Sequence, residues 1–165
     1  MRIAAGVLLA IAGLIVLVIV FGARDDPQVA GAPEGPGALQ PDRGFGHNRA
    51  AAVEDPWPTS GPHLPELVTR DRRRLSDDQI LHALELGNVV ILYEGPDPGA
   101  LVEVQREVAG PFDAEVAAAG QAVILARRDG AGEAAALAWR RVLESADPAA
   151  LREFAEAWLG QGLGT

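Results

Sequence analysis

Residues 76–93, SDDQILHALELGNVVILY, predict a helix that leads directly into a buried strand. Ser76 and Gln79 have the spacing of a capping box, and the two aspartates between them suit the positive end of a helix dipole. Gly87 can adopt the left-handed conformation that ends a helix, so we expect the helix to cover 77–86. The β-branched run that follows shows no alternation with polar residues, which is typical of a strand covered on both faces.

The segments after this unit continue the succession of helices and strands. An Asp-Pro pair at the start of 97–109 is typical of a helix N-terminus, and apolar residues recur there at helical spacing. Residues 121–127 repeat the pattern of a buried strand. A second Asp-Pro pair begins a last helix at Pro148, whose apolar stripe fits docking on a sheet. The order of elements predicts an α+β domain, with helices packed on a small sheet.

The segment 134–143 fits two structures. Its apolar residues fall on one face of a helix, so periodicity alone favours a helix. The strand before it and the turn pair Asp129–Gly130, which is typical of hairpins, favour a returning antiparallel strand instead. The residues alone leave both interpretations open.

An N-terminal run of 19 uncharged, mostly apolar residues, 3–21, has the length of a membrane span. As a helix it would extend over about 28 Å, which matches a bilayer core. Arg2 precedes the run, and Arg24 is followed at once by two aspartates, so the N-terminus is expected in the cytoplasm. We predict an uncleaved single-pass anchor over 1–23 in the cell membrane, with the rest of the chain on the extracytoplasmic side. A cleaved export signal is the alternative, and it leads to the same side.

The next segment, 24–46, is rich in proline, glycine, alanine and acidic side chains and has no apolar periodicity. Such a segment cannot bury enough surface to offset the entropy lost when it is ordered, so we expect a flexible linker. The folded domain is then expected over 47–165.

The composition narrows the chemistry of any site. There is no cysteine, which excludes disulfides, iron–sulfur clusters and thiolate metal sites and leaves imidazole and oxygen ligands. The formal net charge is −9, so we do not expect a nucleic-acid partner. The single basic cluster, 70–74, fits either binding of anionic headgroups or of an acidic partner, or a solvated turn.

A proline-rich stretch precedes the first predicted helix. Four prolines between residues 54 and 65 forbid a regular helix, which predicts a structured loop. The structural residues of this loop are Trp57, Ser60, Gly61 and Pro62. A hydrolase would need Ser60 beside an imidazole, and no nucleophile-elbow motif surrounds this serine, so we interpret it as a turn residue and do not expect an enzyme.

Three histidines are the candidate metal ligands: His47, His63 and His82. Glu85 lies one helical turn beyond His82, where we expect it to orient an imidazole rather than to bind the ion. Imidazole ligands without thiolates favour Cu(II) or Zn(II) over Cu(I). In the alternative, His63 and His82 each bond nearby backbone or Glu85 and only orient the loop. Convergence of the imidazoles on one point would favour the metal site.

Two blocks, TSGPH at 59–63 and HALELGNVV at 82–90, resemble the signature of a bacterial membrane-anchored family, the domain of unknown function 3105. The resemblance covers about 44–159 and includes His47. It also includes the stretch AWRR at 138–141, where it implies a strand and so favours the hairpin.

The resemblance has one departure and implies a general role. The second block of the family usually carries another histidine four residues after the first, and this chain has Leu86 there. Two imidazoles at that spacing would share a helical face and clamp a metal, so that pair is broken here. Members of the family carry an N-terminal anchor and an exported domain, and no activity is assigned to them. The resemblance therefore implies a membrane-anchored extracytoplasmic binding or accessory domain, and the expected partner is a membrane or envelope protein. Metal handling is the alternative, and hydrolysis ranks third.

Overall fold

The computed structural model describes residues 34–48, 56–132 and 134–163. The strands in this part of the chain are β1 (Ala38–Leu39), β2 (Val89–Tyr93), β3 (Val123–Arg127), β4 (Ala135–Ala138) and β5 (Arg141–Glu144). The helices in it are α1 (Asp77–Leu86), α2 (Leu101–Ala109), α3 (Ala114–Ala118) and α4 (Pro148–Trp158). The strands form one mixed sheet in the order β1-β5-β4-β2-β3, which confirms the predicted α+β class.

Helices cover both faces of the sheet. Successive side chains of a strand point to opposite faces, so each strand contributes to two apolar clusters. Val90 and Leu92 of β2 belong to the apolar cluster that includes α1 and α3. Val89, Ile91 and Tyr93 belong to the cluster on the other face, with α2 and α4. The first of these faces carries the candidate site, since two of its residues lie on α1.

The unit formed by α1 and β2 has the predicted structure. Oγ of Ser76 accepts a hydrogen bond from the backbone of Gln79 at 3.1 Å, and the Gln79 side chain accepts one from the Ser76 backbone at 3.2 Å. Gly87 ends α1 at φ 111°, in the left-handed region. The buried side chain of Asn88 then donates hydrogen bonds to carbonyl groups of α1 and α3. This asparagine ties both helices to the start of β2.

The parallel strands β2 and β3 are joined by α2 and α3. The helix α2 begins at Leu101 rather than at residue 97, because Asp97 forms a local turn in which its Oδ1 accepts a hydrogen bond from the Gly99 backbone at 3.0 Å. The sequence pattern does not predict α3, a five-residue helix that Asp113 caps through two backbone amides.

Residues 134–143 form strand and not helix, as the family resemblance implied, but the hairpin is not the predicted one. The strands β4 and β5 pair antiparallel around a turn in which Arg140 has φ 58°. The hairpin predicted at Asp129–Gly130 is wrong, because the chain crosses there to the far side of β2, and β4 pairs with β2 instead of β3. All four residues of β4 are buried, which removes the alternation that marks a half-exposed strand.

The basic cluster 70–74 lies along the outer edge of β3. The backbone of Arg72 donates a hydrogen bond to the Leu125 carbonyl, and the backbone of Arg127 donates one to the Arg73 carbonyl. Covering an edge strand in this way blocks pairing with other chains. The backbone of the basic cluster therefore has a structural role.

Residues 35–46 belong to the folded unit, which begins at Gly35. The strand β1 pairs with β5, and the indole of Trp158 donates a hydrogen bond to the Pro36 carbonyl at 2.8 Å. A Cβ on Gly35 would lie 2.5 Å from the Trp158 ring, so the absence of a side chain permits this contact. The predicted linker boundary at residue 46 is wrong, because glycines that suggested disorder serve close packing.

The predicted anchor over 1–23 lies outside the described residues. Within 34–48, 56–132 and 134–163, no helix combines the length and the apolar character that crossing a membrane requires.

Candidate metal centre

The helix α1 presents His82 and Glu85 on one face, because residues three positions apart are neighbours on a helix. Two other segments meet this face, and each contributes one histidine. His63 comes from the proline-rich loop and His47 from the segment before it. The fold thus brings all three predicted ligands together with Glu85, although Glu85 follows His47 by 38 positions.

One carboxylate oxygen lies at the centre of this cluster. Oε2 of Glu85 is 2.9 Å from Nε2 of His47 and 3.0 Å from Nε2 of His63. The same oxygen is 3.4 Å from Nδ1 of His82. The three ring centroids are 5.4, 5.6 and 5.7 Å apart, which is close to an equilateral triangle. One donor atom from each residue lies within 4.8 Å of the others, so four donors face a common point.

The four side chains are exposed to different degrees. Side-chain exposure rises from 0% at His63 through 11% at His82 and 17% at Glu85 to 49% at His47. Nδ1 of His82 is buried and has no hydrogen-bond partner within the part of the chain that the structure describes. The cluster is therefore covered on the side of His63 and His82 and opens to solvent beside His47.

Both ring nitrogens of the buried His63 face oxygen acceptors. Its Nδ1 lies 2.9 Å from the Gly61 carbonyl oxygen, which can only accept, so Nδ1 carries a proton. Its Nε2 lies 3.0 Å from Oε2 of Glu85. A neutral ring that carries its proton on Nδ1 has no second proton for that contact and presents the lone pair of Nε2 to the carboxylate oxygen.

The surroundings set the charge states of the two residues on α1. Burial lowers the pKa of His82 below its usual value, which favours the neutral imidazole that binds metals. Burial alone would raise the pKa of Glu85. The hydrogen bond from His47 and the electrostatic interaction with His63 outweigh it, so the pKa of Glu85 lies below its usual value. A neutral imidazole and an ionised carboxylate are the forms in which these groups bind a cation.

The loop that carries His63 is fixed by backbone hydrogen bonds. The backbone amide of His63 donates to the Gly46 carbonyl at 2.9 Å, which places the neighbouring His47 at the site. The backbone amide of Leu64 donates to Oδ1 of Asp78 at 3.0 Å, which ties the loop to the first turn of α1. From the sequence, Asp78 was expected only to suit the helix dipole and Gly46 only to end the linker, because their contacts with the loop join distant segments.

The other predicted loop residues have structural contacts. Nε1 of Trp57 donates a hydrogen bond to Oε1 of Glu144 at 3.1 Å. Oγ of Ser60 donates to the Pro41 carbonyl at 3.0 Å and accepts from the Arg43 amide at 3.1 Å. These backbone partners orient the serine in the loop, and neither is an imidazole that would activate it as a nucleophile. The geometry gives the hydrolase hypothesis no support.

The C-terminal segment fixes the last turn of α1. The Leu163 amide donates to the Glu85 carbonyl at 3.0 Å, and the Gly160 amide donates to the Gly87 carbonyl at 2.8 Å. A Cβ on Gly162 would overlap the Glu85 carbonyl oxygen, so this approach requires glycine. The last turn of α1, which carries the central carboxylate, is thereby held in place by the C-terminal segment.

The structure gives Glu85 a more central place than the sequence suggested. We expected this side chain to orient one imidazole, and it contacts all three. Leu86, which stands where the family usually has a second histidine, instead lines a cleft next to His82. The signal in the sequence was the spacing of three between His82 and Glu85, which could not show that two other histidines reach the same carboxylate.

Comparison with known proteins gives one match. The model of a family described as "Protein of unknown function (DUF3105)" matches residues 47–163, which is most of the chain. No curated protein and no solved structure matches it.

Proposed function

We propose that this chain, which belongs to the DUF3105 family of proteins of unknown function, binds a divalent transition-metal ion at its histidine cluster. The donors are His47, His63, His82 and Glu85. The observation that carries the proposal is the contact of three imidazole nitrogens with one carboxylate oxygen. Because the Nδ1 proton of His63 is committed to the Gly61 carbonyl, a neutral His63 presents the lone pair of Nε2 to the carboxylate, and this contact is favourable only with positive charge between the two groups.

The contacts of His63 give further support for a bound metal ion. Its Nδ1 is committed to the Gly61 carbonyl, which orients the ring and leaves Nε2 directed at the cluster. A histidine that binds a metal through one nitrogen commonly donates from the other nitrogen to a carbonyl group in this way. A single added proton satisfies one contact with Glu85, whereas a metal ion satisfies all four donors at once.

The ligand set favours Zn(II) or Cu(II). Imidazole nitrogens suit both ions, and a single carboxylate oxygen is compatible with both. Four donors around tetrahedral zinc lie about 3.4 Å apart, given bond lengths of about 2.0–2.1 Å. The donor atoms here lie within 4.8 Å of one another, so rotation of the Glu85 carboxylate and small ring movements would complete the site.

We further propose that the domain handles this metal as an accessory module on the extracytoplasmic side of the cell membrane, next to a membrane or envelope protein. The support comes from the sequence alone. The run 3–21 has the length and the lack of charge of a membrane anchor, and the basic residue before it favours a cytoplasmic N-terminus.

Metal titration tests the proposal directly. The chain is purified in a mild detergent that keeps the apolar run 3–21 in solution, stripped with a chelator, and titrated with Zn(II) and Cu(II) against a chromophoric competitor. We expect one ion per chain with submicromolar affinity. Histidine-to-alanine changes at His63 and His82 should each remove this binding, since each deletes one of the two least exposed donors.

A matched pair of glutamate variants separates the site from general charge effects. Glu85→Gln keeps the shape of the side chain and removes the central charge, so affinity should fall by about 10- to 100-fold or more. Glu153→Gln makes the same change on the exposed face of α4 and should leave affinity unchanged. Equal affinity in both variants, with folding verified by circular dichroism, would contradict the proposal.

A further inference from the structure

The exposure of the four donors divides them into two groups. His63, His82 and Glu85 are buried or nearly so, with 0%, 11% and 17% of their side chains exposed. These three form a set of two imidazoles and one carboxylate, which leaves coordination positions open when it binds a metal alone. His47 is the exception, with 49% of its side chain exposed.

The anchoring of the donors shows the same division. His82 and Glu85 lie on a helix that is capped at one end and fixed by the C-terminal segment at the other. His63 is held through its backbone amide and through its Nδ1. The ring of His47 touches the site through its Nε2 contact with Glu85 and by edge contacts with the other two rings. His47 therefore lies at the opening, on the side from which solvent reaches the cluster.

Structural metal sites are closed, with every position filled by buried protein ligands, whereas sites that act on other molecules keep a position open. A donor set with three little-exposed members and one exposed member resembles the sites that keep a position open. Resting on the proposed function, we infer that the bound metal has one exchangeable coordination position, the one that His47 occupies. This position takes a small external donor, either an anion of the size of azide or a neutral imidazole.

The three histidines then have two different roles. His63 and His82 are permanent ligands, whose loss removes binding. His47 is the exchangeable ligand, whose place an external donor can take. An ion held in this way can be passed to a partner that presents its own donor at the opening, or can bind a small molecule there.

Cobalt(II) provides the test, because its visible absorption reports the number and type of its ligands. The full chain, stripped of metal, is loaded with Co(II) and titrated with azide. The expected result is a saturable change of the cobalt spectrum, with the ion still bound. Co(II)-loaded Glu153→Gln should respond as the unaltered chain does.

The variant His47→Ala adds a second, independent measurement. It should retain Co(II) with an affinity lowered by about 10-fold or more, and added imidazole should restore the affinity and the spectrum of the unaltered chain. His63→Ala should show no such rescue, because its position is closed to solvent.

The outcomes separate this inference from the function on which it rests. Failure of Co(II), Zn(II) and Cu(II) to bind would overturn both. Tight binding of Co(II), with a spectrum that neither azide nor imidazole alters in the unaltered chain, would show a closed site. That result would overturn the exchangeable position and leave metal binding standing.

Discussion

Oε2 of Glu85 lies 3.0 Å from Nε2 of His63, whose ring is completely buried. A metal ion bound between these two groups would bind the folded chain only, because its donors come from segments that are distant in the unfolded chain. With free Zn(II) at about 100 times the dissociation constant, the free energy of unfolding should rise by about 2.7 kcal/mol. Thermal unfolding with and without Zn(II) measures this gain. A gain of the same size in Glu85→Gln would show that the ion acts elsewhere.

The second prediction concerns the support of His63. Gly61 has φ 138°, a conformation that other residues rarely adopt, and its carbonyl accepts the hydrogen bond from Nδ1 of His63. Gly61→Ala should shift this carbonyl and lower metal affinity by about 10- to 100-fold. Gly130→Ala also places an alanine at a positive φ, here 76°, and does so in open space in the turn after β3. Affinity that falls equally in both variants would mean that strain alone, and not the orientation of His63, is responsible.

The third prediction concerns the C-terminal contact with α1. In Gly162→Ala the new Cβ would overlap the Glu85 carbonyl oxygen and crowd the Gly87 amide. We expect the free energy of unfolding to fall by about 1–3 kcal/mol, as in overpacked cores, with a loss of metal affinity. Gly99→Ala is the comparison, since its Cβ meets open space and only its φ of 53° is unfavourable. Metal affinity should be unchanged in that variant.

Tyr93 supports a fourth prediction. Its hydroxyl group is buried and has no hydrogen-bond partner among residues 34–48, 56–132 and 134–163. Tyr93→Phe removes an unpaired polar group, so the free energy of unfolding should stay the same or rise by about 1 kcal/mol. Chemical denaturation at neutral pH measures this difference. A clear loss of stability would show that the hydroxyl is hydrogen-bonded after all, for example to a buried water.

The same tyrosine also predicts a dependence on alkaline pH. Burial raises the pKa of Tyr93 above its ordinary value of 10.0, so the folded state favours the neutral phenol. The resulting contribution to stability is complete below the pKa of the unfolded chain and is lost as pH rises through the pKa of the folded chain. The stability of Tyr93→Phe should therefore fall less between neutral pH and alkaline pH than that of the unaltered chain. Identical pH profiles would contradict the assignment.

The fifth prediction follows from the extent of the fold. A chain that begins at Gly35 keeps β1 and the hydrogen bond between Trp158 and the Pro36 carbonyl, whereas one that begins at His47 loses both. The longer chain should therefore unfold at a higher temperature. Equal unfolding temperatures would return residues 35–46 to the status of a linker.

Elements whose signals are local could be predicted from the sequence. The capping box at Ser76 marks the start of α1, and the Asp-Pro pair before Ala149 marks the start of α4, because caps act within a few residues. The strand β1 could not be found in this way. Its two residues pair with β5, far away in the chain, and the glycines around it resemble those of a disordered segment.

The candidate site, like the fold, could be predicted only where the signals are local in the sequence. The histidines could be named as ligands because they are the only imidazoles in a chain without cysteine. The central position of Glu85 could not be predicted, because it depends on how the loop before α1 folds back. The amide of His63 meets the Gly46 carbonyl, and the amide of Leu64 meets Asp78, and both contacts arise only in the folded chain.

The pairing of β1 with β5, and the bond from the Leu163 amide to the Glu85 carbonyl, also bear on how the protein is made. During synthesis the three histidines leave the ribosome well before β5, with which β1 pairs, and before the C-terminal segment that contacts the end of α1. Domains fold as units during synthesis, so a ribosome must release nearly all of this chain before its donors can be held in place. If the proposed site binds a metal, the ion is therefore acquired by a nearly complete chain.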